Sequence, residues 1–214
     1  MNAKTLLSVL LVSAAALSLS SCRQPKYFHY TSDAQDFAVE VPYAWRVFYE
    51  EQGSNYVNTT FLGPFDPDFF RGAPSFSVRW HAMGAPFVHG FDMEQGYAST
   101  EEYAERTLKE LYQENSLMEQ NIHHIKVSGK QALHFVVSAP MSVPGDTRYG
   151  ASRDEQGNTA VLRQHAYVVV PAESGFYVLI YPGTRTGFSR YEDRFNKLVN
   201  SFRVLKDGPT GTKL

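Results

Sequence analysis

The chain has 214 residues and a formal net charge of −2 at pH 7, with 43% apolar and 14% aromatic residues. That length and apolar content suffice for one sizeable core, so a single domain is expected. Lys and Arg are nowhere clustered, which excludes a nucleic-acid partner bound through grouped cations, and a single cysteine excludes an internal disulfide.

That cysteine, Cys22, stands where an apolar run stops. Lys4 supplies a charged n-region, Leu6 to Leu19 an apolar h-region of 14 residues, and Ser20-Ser21 the small residues a signal peptidase needs. The run is shorter than the roughly 20 apolar residues that span a bilayer, so residues 1–21 read as a cleaved signal peptide. Leu19-Ser20-Ser21-Cys22 also resembles the lipobox of bacterial lipoproteins. That resemblance implies a lipidated Cys22 whose acyl chains, palmitate among them, hold the protein to a membrane. Arg23 follows where an aspartate commonly retains such proteins at the inner membrane, so the periplasmic side of the outer membrane is the expected location. Residues 22–26 then form a short tether. The six residue steps from Cys22 to Phe28 allow roughly 20 Å of reach, so the domain over 27–206 sits close to the membrane. The mature chain has 19 basic and 22 acidic residues.

Short aromatic and β-branched strands follow: Phe37–Val41, Trp45–Glu50, Tyr56–Leu62 and Ser75–Trp80. Between them, Asp66-Pro67-Asp68 is flanked by Gly63-Pro64 and Gly72 and reads as a turn. Its paired carboxylates leave open a cation site or an acid–base pair. The Gly-rich connection from Ala82 to Ala98 carries Phe87, Val88, Phe91, Met93 and Tyr97. Phe87, Phe91, Met93 and Tyr97 read either as a partner surface or as a loop folded back to cap the sheet. A capping box at Ser99 and Glu102 opens the first helix, with Ala104, Leu108 and Leu111 on one face and Glu102–Arg106 and Glu105–Lys109 as i,i+4 pairs.

Ile122–Ser128 and Gln131–Ala139 read as a hairpin about Gly129-Lys130. Counting out from that loop pairs Ile125 with His134 and His123 with Val136, which puts His123 and His134 diagonally on one face. His165 opens a strand that would lie alongside, so a third imidazole can join them. Such a set could hold zinc, or the histidines are hydrogen-bonded structural residues. Pro140 to Arg163 is a long polar connection, His165–Val170 and Phe176–Tyr181 form a hairpin closed by Pro171 to Gly175, and Asp207–Leu214 reads as a disordered tail. A second helix is expected from a capping box at Ser189 and Glu192, with Tyr191, Phe195, Leu198, Val199 and Phe202 on one face. Strands that follow one another without intervening helices predict an α+β fold: an antiparallel sheet flanked by two main amphipathic helices.

Phe37-Ala-Val-Glu-Val-Pro-Tyr-Ala-Trp45 and Phe195-Asn-Lys-Leu-Val-Asn-Ser-Phe-Arg203 resemble the opening and the close of PsbP-like domains, and the order of elements between them fits. The family often has a glycine before the tryptophan, where this chain has Ala44. The resemblance implies a PsbP-like α/β/α sandwich over most of 27–205 and an accessory or assembly role at a membrane. It implies no shared catalytic constellation, and some of its members are associated with divalent metals. No Gly-rich phosphate loop, HExxH or nucleophile elbow occurs in the chain. The expected function is therefore non-catalytic: an anchored envelope lipoprotein with a protein partner and no cofactor. The alternative is a metal- or small-ligand-binding lipoprotein that uses the histidine face.

Overall fold

The computed structural model describes residues 26–209, apart from 52, 54, 70, 71, 90, 91, 113–115, 143–151 and 154–158. The signal segment and Cys22 lie outside the described residues. Among the described residues, thirteen strands and two α-helices follow in the order β1 Tyr27–Thr31, β2 Phe37–Pro42, β3 Arg46–Glu51, β4 Tyr56–Leu62, β5 Ser75–Ala82, β6 Phe87–His89, β7 Asp92–Glu94, α1 Thr100–Arg106, β8 Leu117–Val127, β9 Lys130–Ser142, β10 Ser152–Arg153, β11 Thr159–Pro171, β12 Gly175–Thr184, α2 Arg185–Ser201 and β13 Arg203–Val204. Pairing is antiparallel, and the large sheet runs in the order β3-β4-β5-β12-β11-β9-β8. A small sheet, β1-β2-β13, lies apart from it, and β6 and β7 form a separate hairpin. The α+β class read from the sequence is the observed one.

Alternation along the strands sorts side chains onto two cores. One face presents Phe61, Phe76, Val78, Trp80, Val136, Val168, Leu179 and Tyr181 to α2 and to Phe37, Val39 and Val41 of the small sheet. The other presents Phe135, Val137, Tyr167, Val169, Phe176, Val178 and Ile180 to Tyr103 and Ala104 of α1 and Tyr112 just beyond it. β12, with residues 175–181 all buried, is covered on both faces, so it reads as a continuous apolar run and not as an alternation.

α1 begins as expected: Glu102 N–H donates to Ser99 Oγ at 3.1 Å, and Ala98 N–H donates to Glu102 Oε2 at 2.6 Å. After Arg106 it widens into a π-helical turn, Thr107–Tyr112. The widening moves i,i+4 positions off one line. Glu102–Arg106 forms at 3.7 Å and Arg106–Glu110 at 3.3 Å, and the expected Glu105–Lys109 pair is not among the ion pairs of the described residues. α2 differs more. Thr184 is its N-cap, accepting from Gly187 N–H at 3.2 Å, so Ser189 and Glu192 lie inside the helix. The predicted apolar face nonetheless holds, because a capping signal inside a helix leaves its 3.6-residue period untouched. Ala44 adopts φ +66, and Trp45 N–H donates to Pro42 O at 3.2 Å, so the turn before the tryptophan is made with an alanine in the left-handed region. The connection expected from Pro140 to Arg163 is shorter, because β9 runs to Ser142 and β11 starts at Thr159. The tail expected from Asp207 is ordered at its start: Asp207 Oδ1 accepts from Glu173 N–H at 2.7 Å and Ser174 N–H at 3.0 Å.

Candidate functional site

The face of the sheet that carries α1 changes character halfway across. Over β9, β11 and β12 it is apolar and lies against α1. Over β4 and β5 the residues on that face are Tyr56, Asn58 and Thr60, and Ser77, Arg79 and His81. Thr60 and Ser77 hydrogen-bond each other at 3.1 Å, while His81 is buried between the rings of Phe87 and Phe176. This polar half forms a shelf beside α1, and Arg79 lies in its middle. Directly opposite Arg79 stand Asn58 on one side and Val178 on the other, and Glu50 of β3 faces Asn58. Glu50 is thus two strands from Arg79, or roughly 10 Å between backbones.

Arg79 Nε is buried without a hydrogen-bond partner, and so is Asn58 Oδ1. The tyrosines that feel the Arg79 charge, among them Tyr56, Tyr103 and Tyr167, have phenols pushed above the usual 10, chiefly by burial. They are neutral at pH 7 and offer dipoles but no negative charge. Farther along the same face, Tyr112 Oη lies 2.6 Å from Tyr167 Oη and 2.7 Å from His165 Nδ1, and the Arg163 guanidinium stacks over the Tyr112 ring at 4.5 Å. No expectation from the sequence fell on this row, although its signal is local: Ser77, Arg79 and His81 alternate with Phe76, Val78 and Trp80.

The predicted histidine set is divided between the two faces. The hairpin turns on Ser128-Gly129, both at positive φ, and pairs Val127 with Lys130. His123 therefore lies directly opposite His134, not diagonal to it. The register differs from the expected one by two residues, which preserves the face but changes the partner. The rings are 4.9 Å apart, with His123 Nε2 3.3 Å from His134 Nδ1. His165 lies on the other face, against Tyr112 and Tyr167, and does not join them. No group of three or more His, Cys, Asp or Glu suited to a metal occurs among the described residues. A zinc held by His123 and His134 would have two protein ligands, below the three or four of protein zinc sites.

Burial, with the charge of His123 second, pushes the His134 imidazole down to about 4 from its ordinary 6.5. The unfolded chain therefore takes up this proton first, so the stabilisation is fully present above pH 6.5 and is lost as pH falls toward 4. With partial exposure the loss is about 1–2 kcal/mol, less than the full shift would give. Urea midpoints at pH 7 and 4.5 test it. The wild type should lose more stability than His134→Gln, and parallel losses would refute the assignment.

The loop from Ala82 to Ala98 folds back in part. Phe87 is buried and stacks on Tyr56 at 5.2 Å, and Tyr97 is half-buried and packs on Tyr103 at 5.0 Å. Met93 is 70% exposed, and Phe91 lies outside the described residues. Asp66-Pro67-Asp68 is a turn that clips onto α2. The Asp66 carboxylate is buried and accepts from Arg190 Nη1 at 3.1 Å, Tyr191 Oη at 3.2 Å and Asp68 N–H at 3.0 Å, while Asp68 pairs with Arg190. With its lone pairs so used, Asp66 is a structural anchor and not a free acid or base.

The two edges of the large sheet differ. β8 is interrupted by register shifts between Met118 and Gln120 and between Gln120 and His123, irregularities that protect an edge from pairing with another chain. β3 is regular over six residues, exposed throughout, and carries Val47, Phe48 and Tyr49. Among the described residues nothing pairs with its outer side.

No family model matches the chain, and no curated protein does. Among solved structures it is similar to cyanobacterial PsbP (CyanoP) from Synechocystis sp. PCC 6803, at 14% identity over 87% of this chain and 99% of that one, with a TM-score of 0.49. It is also similar to LpqN, involved in cell envelope biogenesis of Mycobacterium tuberculosis, at 14% identity over 84% and 90% of the two chains, with a TM-score of 0.46. The Saccharomyces cerevisiae Ran-binding protein Mog1p is similar at 10% identity over 84% and 96%, with a TM-score of 0.48.

Proposed function

We propose that this protein is a lipid-anchored envelope protein with a single non-catalytic domain of PsbP-like α/β/α layout, and that it binds a partner protein at the membrane surface by strand addition to β3. The observation that carries the reading is the β3 edge itself. A regular, exposed strand that carries Val47, Phe48 and Tyr49, and whose outer side pairs with nothing among the described residues, presents backbone groups and apolar side chains, the two elements of strand addition. Its position agrees with an anchor on Cys22. Tyr43 N–H donates to Lys26 O at 2.9 Å, which ties the start of the domain to the residues leading into β3. Four residue steps separate Cys22 from Lys26, roughly 14 Å of reach, so the open edge begins close to the lipid surface. Among the described residues no helix is long and apolar enough to cross a membrane.

The reading is tested in cells with the full chain. A photocrosslinking residue at position 48 should capture one specific partner that the same residue at the exposed Lys126 of β8 does not. Capture should be lost with Cys22→Ala, which should also abolish fatty-acid labelling. Equal capture from both positions would exclude β3 as the docking edge, and labelling that survives Cys22→Ala would exclude the anchor.

A further inference from the structure

We propose that Arg79 and Asn58 form the floor of a binding site for a small ligand bearing a carboxylate or phosphate group, held on the polar shelf beside α1. A guanidinium shielded from water is costly unless an anion pairs with it, and its donors seek acceptors in a fixed fork. Among the described residues Arg79 has no ion pair, and the Glu50 charge acts on it only from two strands away. Its Nε is buried without a partner, and no carboxylate lies within 4.0 Å of it among the described residues. Glu50 stands two strands away, with Asn58 between. The tyrosines beside it are neutral at pH 7 and supply no counter-charge.

The second orphan narrows the ligand. Asn58 Oδ1 is a buried acceptor without a donor, directly opposite Arg79 on the neighbouring strand. Two adjacent buried groups of opposite hydrogen-bonding character that do not satisfy each other are both satisfied by one molecule. That molecule presents an oxyanion to the guanidinium and a hydroxyl or N–H to the amide oxygen. The phenols of Tyr56 and Tyr103 are near enough for the Arg79 charge to act on them, and a compact organic acid or phosphate ester suits a floor of this size. The site lies on the face opposite His123 and His134 and shares no residue with the exposed apolar side chains of β3.

The test uses the purified full chain, with inorganic phosphate and glycolate as probes at constant ionic strength. Glycolate carries both an oxyanion and a hydroxyl. The melting temperature of the wild type should rise saturably with at least one probe, by about 3 to 6 °C at ten times Kd. Arg79→Met keeps the volume and removes the charge. It should melt no lower than the wild type without probe and show no rise with either. Asn58→Ala should weaken glycolate more than phosphate, because only glycolate offers the hydroxyl. Arg79→Lys keeps the charge without the fork and should weaken both probes about tenfold by calorimetry, a reading independent of the methionine variant. No saturable rise in the wild type, or an equal rise in Arg79→Met, would overturn the proposal. Partner capture at position 48 should survive Arg79→Met, so this proposal and the strand-addition reading fail separately.

Discussion

Replacing Phe195 with alanine is expected to cost about 3–5 kcal/mol of stability, the range of a large aromatic truncated in a core that cannot close over it. Phe195 is 1% exposed on the inner face of α2, with its ring 5.5 Å from Phe76 and 5.7 Å from Tyr181. Those two rings come from β5 and β12, central strands held on both sides by paired neighbours, so neither can move far into the space left behind. Trp45 lies 4.7 Å from Phe76 and 6.1 Å from Tyr191, so the same cavity loosens the turn that leads into β3. Set against a total stability of roughly 5–15 kcal/mol, the loss should move the urea midpoint far down with little change in slope. Phe65→Ala, at 79% exposure, serves as the control and should leave it unchanged. A loss below about 1.5 kcal/mol for Phe195→Ala would mean that α2 is not seated on the sheet as described.

The docking of α2 was legible because its signal is local. A 3.6-residue period places Tyr191, Phe195, Leu198 and Val199 on one face wherever the helix begins, so missing Thr184 as the N-cap had no effect on the face. The strand pairs were legible for the same reason, and a slip of two residues about Ser128-Gly129 left His123 and His134 facing each other. What the residues alone did not show is which remote groups meet. Asp66 reads as a turn aspartate, and only the fold brings Arg190 and Tyr191, more than a hundred positions later, onto its carboxylate. His165 went to the wrong face because parity along β11 depends on its register with β9, where His165 pairs with Val137 and not with a residue of the His134 face. The Arg79 shelf is an intermediate case. Alternation in β5 marks Ser77, Arg79 and His81 as one side, but nothing local shows that Arg79 Nε and Asn58 Oδ1 are left buried without hydrogen-bond partners.

Asp36 gives the second large effect, and its role is visible only in the fold. Its carboxylate is 3% exposed and takes hydrogen bonds from Ser32 Oγ and, at 2.9 Å, from Tyr177 Oη at the centre of β12. Its backbone carbonyl accepts from Leu205 N–H at 2.8 Å, so one residue ties the β1–β2 turn, the large sheet and the end of the chain together. Burial, and then the Asp36 charge, push the Tyr177 phenol far above its usual range, which keeps the hydroxyl protonated as a donor. Asp36→Ala removes two hydrogen bonds to a carboxylate and leaves the buried Ser32 and Tyr177 hydroxyls without their acceptor, an expected cost of about 3 kcal/mol. Tyr177→Phe removes only one donor, leaves Ser32 in place, and should cost about 1.5 kcal/mol. In the double variant the Tyr177 hydroxyl is gone and only that of Ser32 lacks its acceptor, so its cost should fall below the sum of the two by about 1 kcal/mol or more. Urea denaturation of the four proteins measures that difference. Strict additivity would show that the carboxylate and the hydroxyl are not coupled, and that the β1–β2 turn is held to the sheet by its apolar contacts alone.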